Sequence, residues 1–474
     1  RHKPDMHFLK TSIWIAVLTT LMVCNLFGIE ADQVWIKTIA VEGNKKTKRA
    51  LILREIDLSS GDTLQIADLT QRFDKNKNLL INTGLFNEVE INIDEWNEDE
   101  QSIELSIHVV ESWYIYPLPI LSLADRNFNV WWVEHNHSFE RLNYGIRFTY
   151  VNFTGNRDKL KLILQGGYKR KVLLQYDRPY VNVAKTLGMS ARIFIDHKRE
   201  FAYETRFNKQ QFFSDDDNLL FKSFKSIVTL NYRRRVENYH DLLIKYESNR
   251  IHDSAADLNP NYFQSGNRQQ FIELSYSFSR ERRDSRFYPL TGNHLQLRAH
   301  KEGIGIFNDV NRFYTIAAYA HYFAILDKLN FEVRLKGKHE WQHQRLLYSG
   351  LDALGYGEDY LRGYEYYVID GSDYAYARNS LRFSLLNRSF DLKRKMPVES
   401  YRNLPVMVWL TLNADIGIAG NSGFNTDNPF NERMLVGTGI GLDIILYYKY
   451  VFQVEYSINH LKEKGLFLHI RSDI

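Results

Sequence analysis

The chain has 474 residues, a formal net charge of +4, and Phe, Trp and Tyr as 14% of its residues. That charge is small for so long a chain, and nothing in the sequence indicates a nucleic-acid protein. Its negative mean hydropathy excludes a polytopic helical membrane protein but not a membrane β-barrel, in which only alternate residues face lipid. Length alone suggests about three ordinary domains, a prior that one large barrel overrides.

Residues 1–31 read as a secretory signal. Arg1, His2, Lys3 and Lys10 give a basic start, and Ile13 to Val23 form an apolar run too short to span a bilayer. Cleavage is expected after Gly28 or Ala31. Cys24, the only cysteine, lies in this segment, so the rest of the chain has no disulfide framework and no thiolate metal site. Val23 is bulkier than the small residue usual before a lipidated cysteine, which weighs against lipidation.

Residues 32–112 read as a small α+β domain. Val34 to Val41 alternates and ends at Gly43-Asn44, a turn signal. Lys48 to Leu58 carries Leu51, Ile52 and Ile56 at helical spacing. A second helix runs from Ile66 to Thr83, with Leu69, Phe73 and Leu80 on one side, and stops at Gly84. Strands at Glu88 to Ile93 and Ile103 to Val110 complete the order β-α-α-β-β.

Residues 113–474 are strand after strand. Leu160, Leu162 and Leu164 alternate with Lys159, Lys161 and Ile163, and Phe331, Val333 and Leu335 with Glu332, Arg334 and Lys336. A polar face this rich in Arg, Lys, Glu and Gln suits a barrel with lipid outside and water inside; about sixteen strands fit. Residues 200–212 also alternate, as if prolonging the fifth strand and its neighbour above the membrane. Short connections (153–157, 235–238, 326–328) alternate with long ones (122–142, 251–269, 341–372, 417–433), and only the link 389–403 breaks the pattern.

The connection 341–372 is far longer than a compact domain usually tolerates without a function. It is rich in Gly, Tyr and Asp and carries Leu361-Arg362-Gly363-Tyr364, a composition suited to folding back into a wet interior. Further on, Thr411, Asn413 and Asp415 share one strand face, so Asp415 points into the polar lumen. Two enzymatic signals fail. His339-Glu340-Trp341-Gln342-His343 matches the zinc-protease string, but that chemistry needs a helix and this string continues a strand; Trp341 fits an interfacial girdle better. No G-x-S-x-G elbow or phosphate loop occurs. No metal site or cofactor is expected, and the Asp and Asn residues of loops 251–269 and 417–433 read as solvated.

Several of these pieces resemble the BamA/TamA-like outer-membrane assembly and secretion family, also called the bacterial surface antigen family. Val41-Glu42-Gly43-Asn44, Thr83-Gly84-Leu85-Phe86 and Val109-Val110-Glu111 resemble a polypeptide-transport-associated (POTRA) domain. Leu361 to Tyr364 resembles the family's loop tetrapeptide. Asp177-Arg178-Pro179-Tyr180, the turn from Asp284 through Pro289 to Gly292, Asn413-Ala414-Asp415-Ile416-Gly417 and Gly437-Thr438-Gly439-Ile440-Gly441 resemble further barrel motifs in the family's order.

The resemblance implies a mostly β fold: a 16-stranded transmembrane β-barrel preceded by one POTRA domain. It implies that Arg362 pairs with Asp415 and pins the loop to the inner wall, with Gly363 permitting a tight backbone and Tyr364 an aromatic anchor. It also places a β-signal at Gly465, Leu468 and Ile470, although the chain's last residue, Ile474, departs from the usual terminal aromatic. The implied function is insertion or translocation of polypeptides at the bacterial outer membrane, without enzymatic chemistry. The POTRA domain would lie in the periplasm. The implied partners are outer-membrane lipid and lipopolysaccharide, unfolded client polypeptides and accessory lipoproteins, and no nucleic acid. Two alternatives stay open: a dedicated two-partner-type secretion pore, and a passive porin or structural barrel.

Overall fold

A computed structural model describes residues 33–472, apart from 125–127, 134–135, 183, 185, 216–217, 236, 308–309, 342–346, 394–395, 397–401, 421–426 and 449. The expected signal with Cys24, the second histidine of the zinc-like string (His343) and parts of the 417–433 loop lie outside the described residues.

The chain divides into two compact units. In the first, β1 (Gln33–Glu42) runs parallel to β4 (Ser102–Glu111) in a four-stranded sheet of order β2-β1-β4-β3. The other strands are β2 (Thr63–Gln65) and β3 (Phe86–Asn97), and the helices are α1 (Arg49–Glu55) and α2 (Leu69–Ile81). The alternating residues Val34 and Ile36 of β1 meet Ile103, Leu105 and Ile107 of β4, and Ile52 and Leu80 of the helices join them in a fully buried core. Gly84, at φ +75°, ends the helical run as its position predicts. The expected order holds with one addition. β2 spans three residues, pairs only with Gln33–Trp35 and is too short to show a period.

The second unit is built on one antiparallel sheet of sixteen strands. They are β5 (Ile115–Leu123), β6 (Leu142–Val151), β7 (Lys159–Gly167), β8 (Lys169–Arg178), β9 (Leu187–Lys198), β12 (Phe221–Tyr232), β13 (Asn238–Ile251), β14 (Arg268–Glu281), β15 (Gly292–Glu302), β16 (Arg312–Leu326), β17 (Leu329–Glu340), β20 (Asp373–Asp391), β21 (Asn403–Gly420), β22 (Leu435–Leu446), β23 (Tyr450–Asn459) and β24 (Lys464–Ser472). Each pairs with its sequential neighbour, and β5 and β24 stand at the two ends of the order. Two small hairpins lie outside the sheet: β10 (Glu200–Arg206) with β11 (Lys209–Ser214), and β18 (Asp352–Leu354) with β19 (Ile369–Asp370). Residues 200–212 thus form a hairpin of their own.

Burial is inverted relative to a soluble sandwich. Leu121 is 76% exposed and Ile470 71%, whereas Arg382 is 3% and Asp415 1% exposed. Period-2 alternation sends aliphatic side chains outward and charged ones into the lumen, as a bilayer requires. The link 389–403, too long for the short-turn side, is partly strand. β20 and β21 stay paired as far as Asp391 and Asn403, so the hairpin simply extends beyond its neighbours.

The turn between β14 and β15 bends into the lumen. Asp284 accepts from the backbone N–H groups of Ser285 (2.8 Å), Leu290 (3.0 Å) and Thr291 (3.2 Å), which shapes the turn. Gly292 follows at φ +92°, where a Cβ would strike the Arg282 carbonyl. Tyr288 then reaches the far wall and donates to Asp443 of β22 (2.9 Å). Arg382 donates to the Pro289 carbonyl (2.9 Å) and pairs with Glu332. Tyr288 packs there with Met407, Trp409, Ile445 and Val451.

Candidate functional site: the inturned loop

The connection from β17 to β20 descends along the inner faces of β20 to β23, and glycines set how close it comes. Gly363, at φ +86°, lies flat on the backbone of Ile458 and Asn459: a Cβ there would sit 2.8 Å from the Ile458 carbonyl carbon. On the wall, a Cβ at Gly437 would collide with the Arg362 carbonyl, and one at Gly417 would sit 2.9 Å from Leu361 Cδ1. The glycines of β21 and β22 therefore form a bare seat for the loop's backbone.

Arg362 is 8% exposed and held from several sides. Its Nη1 donates to Asp415 Oδ1 (3.0 Å) and the Asn379 carbonyl (3.2 Å), its Nη2 to Ser380 Oγ (3.0 Å), and its backbone N–H to Asp415 Oδ2 (3.1 Å). Its Nε lies 2.7 Å from Glu455 Oε1. Asp415 also faces Arg378 Nε at 3.5 Å, and Arg378 stacks on the Tyr360 ring at 4.3 Å. Two arginines thus face two carboxylates, and that balance offsets the cost of taking four charges out of bulk water. Asn413 donates to Glu455 Oε1 (2.6 Å) and so orients the second carboxylate.

The neighbours of Arg362 anchor the loop by packing. Leu361 and Tyr364 are each 1% exposed, in a cluster with Leu354, Ile369, Phe430 and Leu435. The Tyr364 hydroxyl donates to the Val436 carbonyl (3.1 Å), accepts from the Val436 N–H (3.2 Å) and touches His460. Further up, Asp359 accepts from Lys336 (2.6 Å), Tyr374 (2.9 Å) and Tyr376 (3.0 Å). Glu365 is buried in this loop, and burial, then the nearby Glu455 carboxylate, push its carboxyl up to about 8.

The structure brings Leu361, Arg362, Gly363 and Tyr364 together with Asp415, Asn413 and Gly417. Sequence reasoning missed Glu455 and Arg378 as members. Both alternations were readable, but a period assigns a face and not the height at which residues of separate strands meet. Gly465, Leu468 and Ile470 lie apart, on β24. Leu468 and Ile470 point outward, while Phe467 turns inward and its ring fills the space left by Gly465. In the zinc-like string, His339 and Glu340 face opposite sides of β17: His339 is exposed beside Asp373, and Glu340 is buried with Arg312. Among the described residues no group of side chains has metal-ligand geometry.

A sixteen-stranded wall with its apolar side chains outward, a polar lumen and an inturned loop define a membrane β-barrel protein. The family profile "Omp85 superfamily domain" matches residues 138–446, and "Surface antigen variable number repeat", the POTRA profile, matches residues 34–112. The chain belongs to the Omp85 superfamily, whose members insert or secrete proteins at the outer membrane. Among solved structures it is similar to BamA from Haemophilus ducreyi lacking POTRA domains 1–3. That match has 15% identity and a TM-score of 0.52, covering 92% of this chain and 83% of the other. It is also similar to CdiB from Escherichia coli, with 13% identity and a TM-score of 0.56, covering 93% of this chain and 76% of the other. None of the curated proteins matches the sequence.

Proposed function

We propose that the protein inserts barrel proteins into the outer membrane or passes polypeptides across it, without enzymatic chemistry. The observation that carries this reading is the Arg362 loop, seated on the glycines of β21 and β22 and on the backbone at the end of β23, near the end of the sheet. It stiffens one side of a seam whose other side is poorly equipped to pair. β5 carries Pro117 and Pro119, which lack N–H donors and belong on a sheet edge. A client strand could add there by main-chain hydrogen bonding. Residues 1–31 would direct export, residues 32–112 would stand in the periplasm, and the outer strands β2 and β3 of that domain would offer further edges to unfolded clients. Accessory lipoproteins would dock on the same domain.

The test is depletion of the protein in its host, followed by quantification of the outer-membrane proteome. A broad fall in barrel proteins is expected for general assembly. Loss of a few secreted or surface proteins, with barrels intact, would narrow the role to dedicated secretion. An unchanged proteome would sink the proposal and favour a passive barrel.

A further inference from the structure

The outer wall of β8, β9, β12, β13 and β14 is graded from end to end. Register pairs Arg170 with His197, His197 with Lys222, Lys222 with Arg250 and Arg250 with Arg268. These residues form one row across five adjacent strands, each within two residues of a strand end; at that end β9, β12, β13 and β14 lead into long connections, and β8 into the one-residue turn at Tyr168. They share the outward face of Leu174, Ile193, Val228 and Leu274.

Ten residues further along the strands the register brings Tyr232, His240 and Phe278 side by side, with ring centroids 5.9 and 5.1 Å apart. The rows between, apolar or aromatic except for Ser226, Ser248 and Gln270, span about 25 Å once strand tilt is included, the height of a bilayer's hydrocarbon band. One border of the band therefore carries aromatic rings, with Arg178 and Arg280 singly beside them, and the other carries a continuous basic row.

Lys222, Arg250 and Arg268 stand side by side, and like charges directly opposite on neighbouring strands repel. Among the described residues none of the five has an ion pair or a side-chain hydrogen bond to relieve this. The carboxylates on the same strands face the lumen, where Asp196 pairs with Lys198 and Glu247 with Lys225 and Lys245. Asp253, just past Arg250, accepts from Asn267. The row's countercharge must come from outside the chain, at the depth of lipid headgroups.

We infer that this row binds the phosphate groups of the outer leaflet's phosphorylated glycolipid, whose acyl chains lie along the apolar rows below. Juxtamembrane cations attract anionic headgroups in this way. The inference rests on the outer-membrane placement alone and stands whichever client the barrel handles.

The full chain, refolded in neutral detergent with EDTA, would be incubated with bisphosphorylated lipid A and assayed for retained lipid by native mass spectrometry. Retention is expected for the wild type and reduced roughly tenfold or more in K222Q/R250Q/R268Q. R178Q, at the opposite end of β8, should retain lipid normally. Heat-modifiable gel mobility checks that every variant is folded. Equal retention by the triple variant would overturn the inference, as would equal retention of dephosphorylated lipid A. Displacement of the lipid by millimolar inorganic phosphate would also overturn it, in favour of a free-anion site.

Discussion

At the scale of the residue, the site turns on where side chains are missing as much as on where they meet. Asp415 accepts both a guanidinium N–H and the backbone N–H of Arg362, so it fixes the side chain and the chain path together. Asp415→Ala would leave Glu455 as the one carboxylate paired with Arg362, beside the Asn379 carbonyl and Ser380 Oγ, and release the backbone contact. A cost of about 3 kcal/mol is expected, at the low end for a broken buried pair because the lumen is wet. Limited proteolysis should then cut within 355–370 faster than in the wild type; unchanged protection would count against the pin. The glycines give a matched pair. Gly437→Ala would drive a methyl into the Arg362 carbonyl and cost about 1–3 kcal/mol in overpacking. Gly420→Ala, with nothing within 4 Å of the added Cβ, should leave the thermal transition of gel mobility unmoved. That Asp415 faces inward was legible in the alternation of Leu410 to Asp415. That Gly437 is a seat for a carbonyl from 75 residues upstream was not, because contact across a lumen leaves no period in the sequence.

Among the elements, the strands were the most legible because lipid and water impose a strict period of two. Observed ends such as Leu329–Glu340 and Leu435–Leu446 coincide with the alternating runs. The hairpin β10–β11 alternates too, yet it belongs to a cap and not to the wall, a distinction made only by tertiary contact. Its tip residue Asn208 donates its N–H to Asn428 Oδ1 (2.7 Å) and its amide to the Val368 carbonyl (3.2 Å). Thr205 donates to Asp370 (3.1 Å), which also holds the Tyr356 hydroxyl. Burial pushes the Asp370 carboxyl up to about 6. A carboxyl raised on folding stabilises the folded cap below its ordinary range, and that stability is lost as pH rises through the raised value. The cap should therefore be tightest near pH 4 and loosen toward pH 6 and above. Glu365, held at about 8, extends the same trend to mildly alkaline pH. Thermal transitions of gel mobility from pH 4 to 9 would show it, and Asp370→Asn should make the part between pH 4 and 6 shallower, leaving the Glu365 part. A transition that rose with pH over that range would refute this account.

On the scale of the whole molecule, chain segments enter the lumen from both ends. From the end of the long connections comes the Arg362 loop, under the cap of β10–β11 and the neighbouring loops. From the end of the short turns comes the Tyr288 turn, held by Asp443, Arg382 and Asn330, the last donating to the Leu290 carbonyl (3.0 Å). Both are tied to the wall by shielded polar contacts and buried aromatics. Water and ions crossing the barrel meet its own backbone twice. Planar-bilayer recordings should therefore show small, unsteady currents. Asp415→Ala and Tyr288→Ala should each raise them, and the double variant should raise them most. Large steady conductance in the unmodified protein would mean that these segments do not obstruct. If they do, the barrel spends its interior on bracing, and whatever traffic it serves must find its way along the wall.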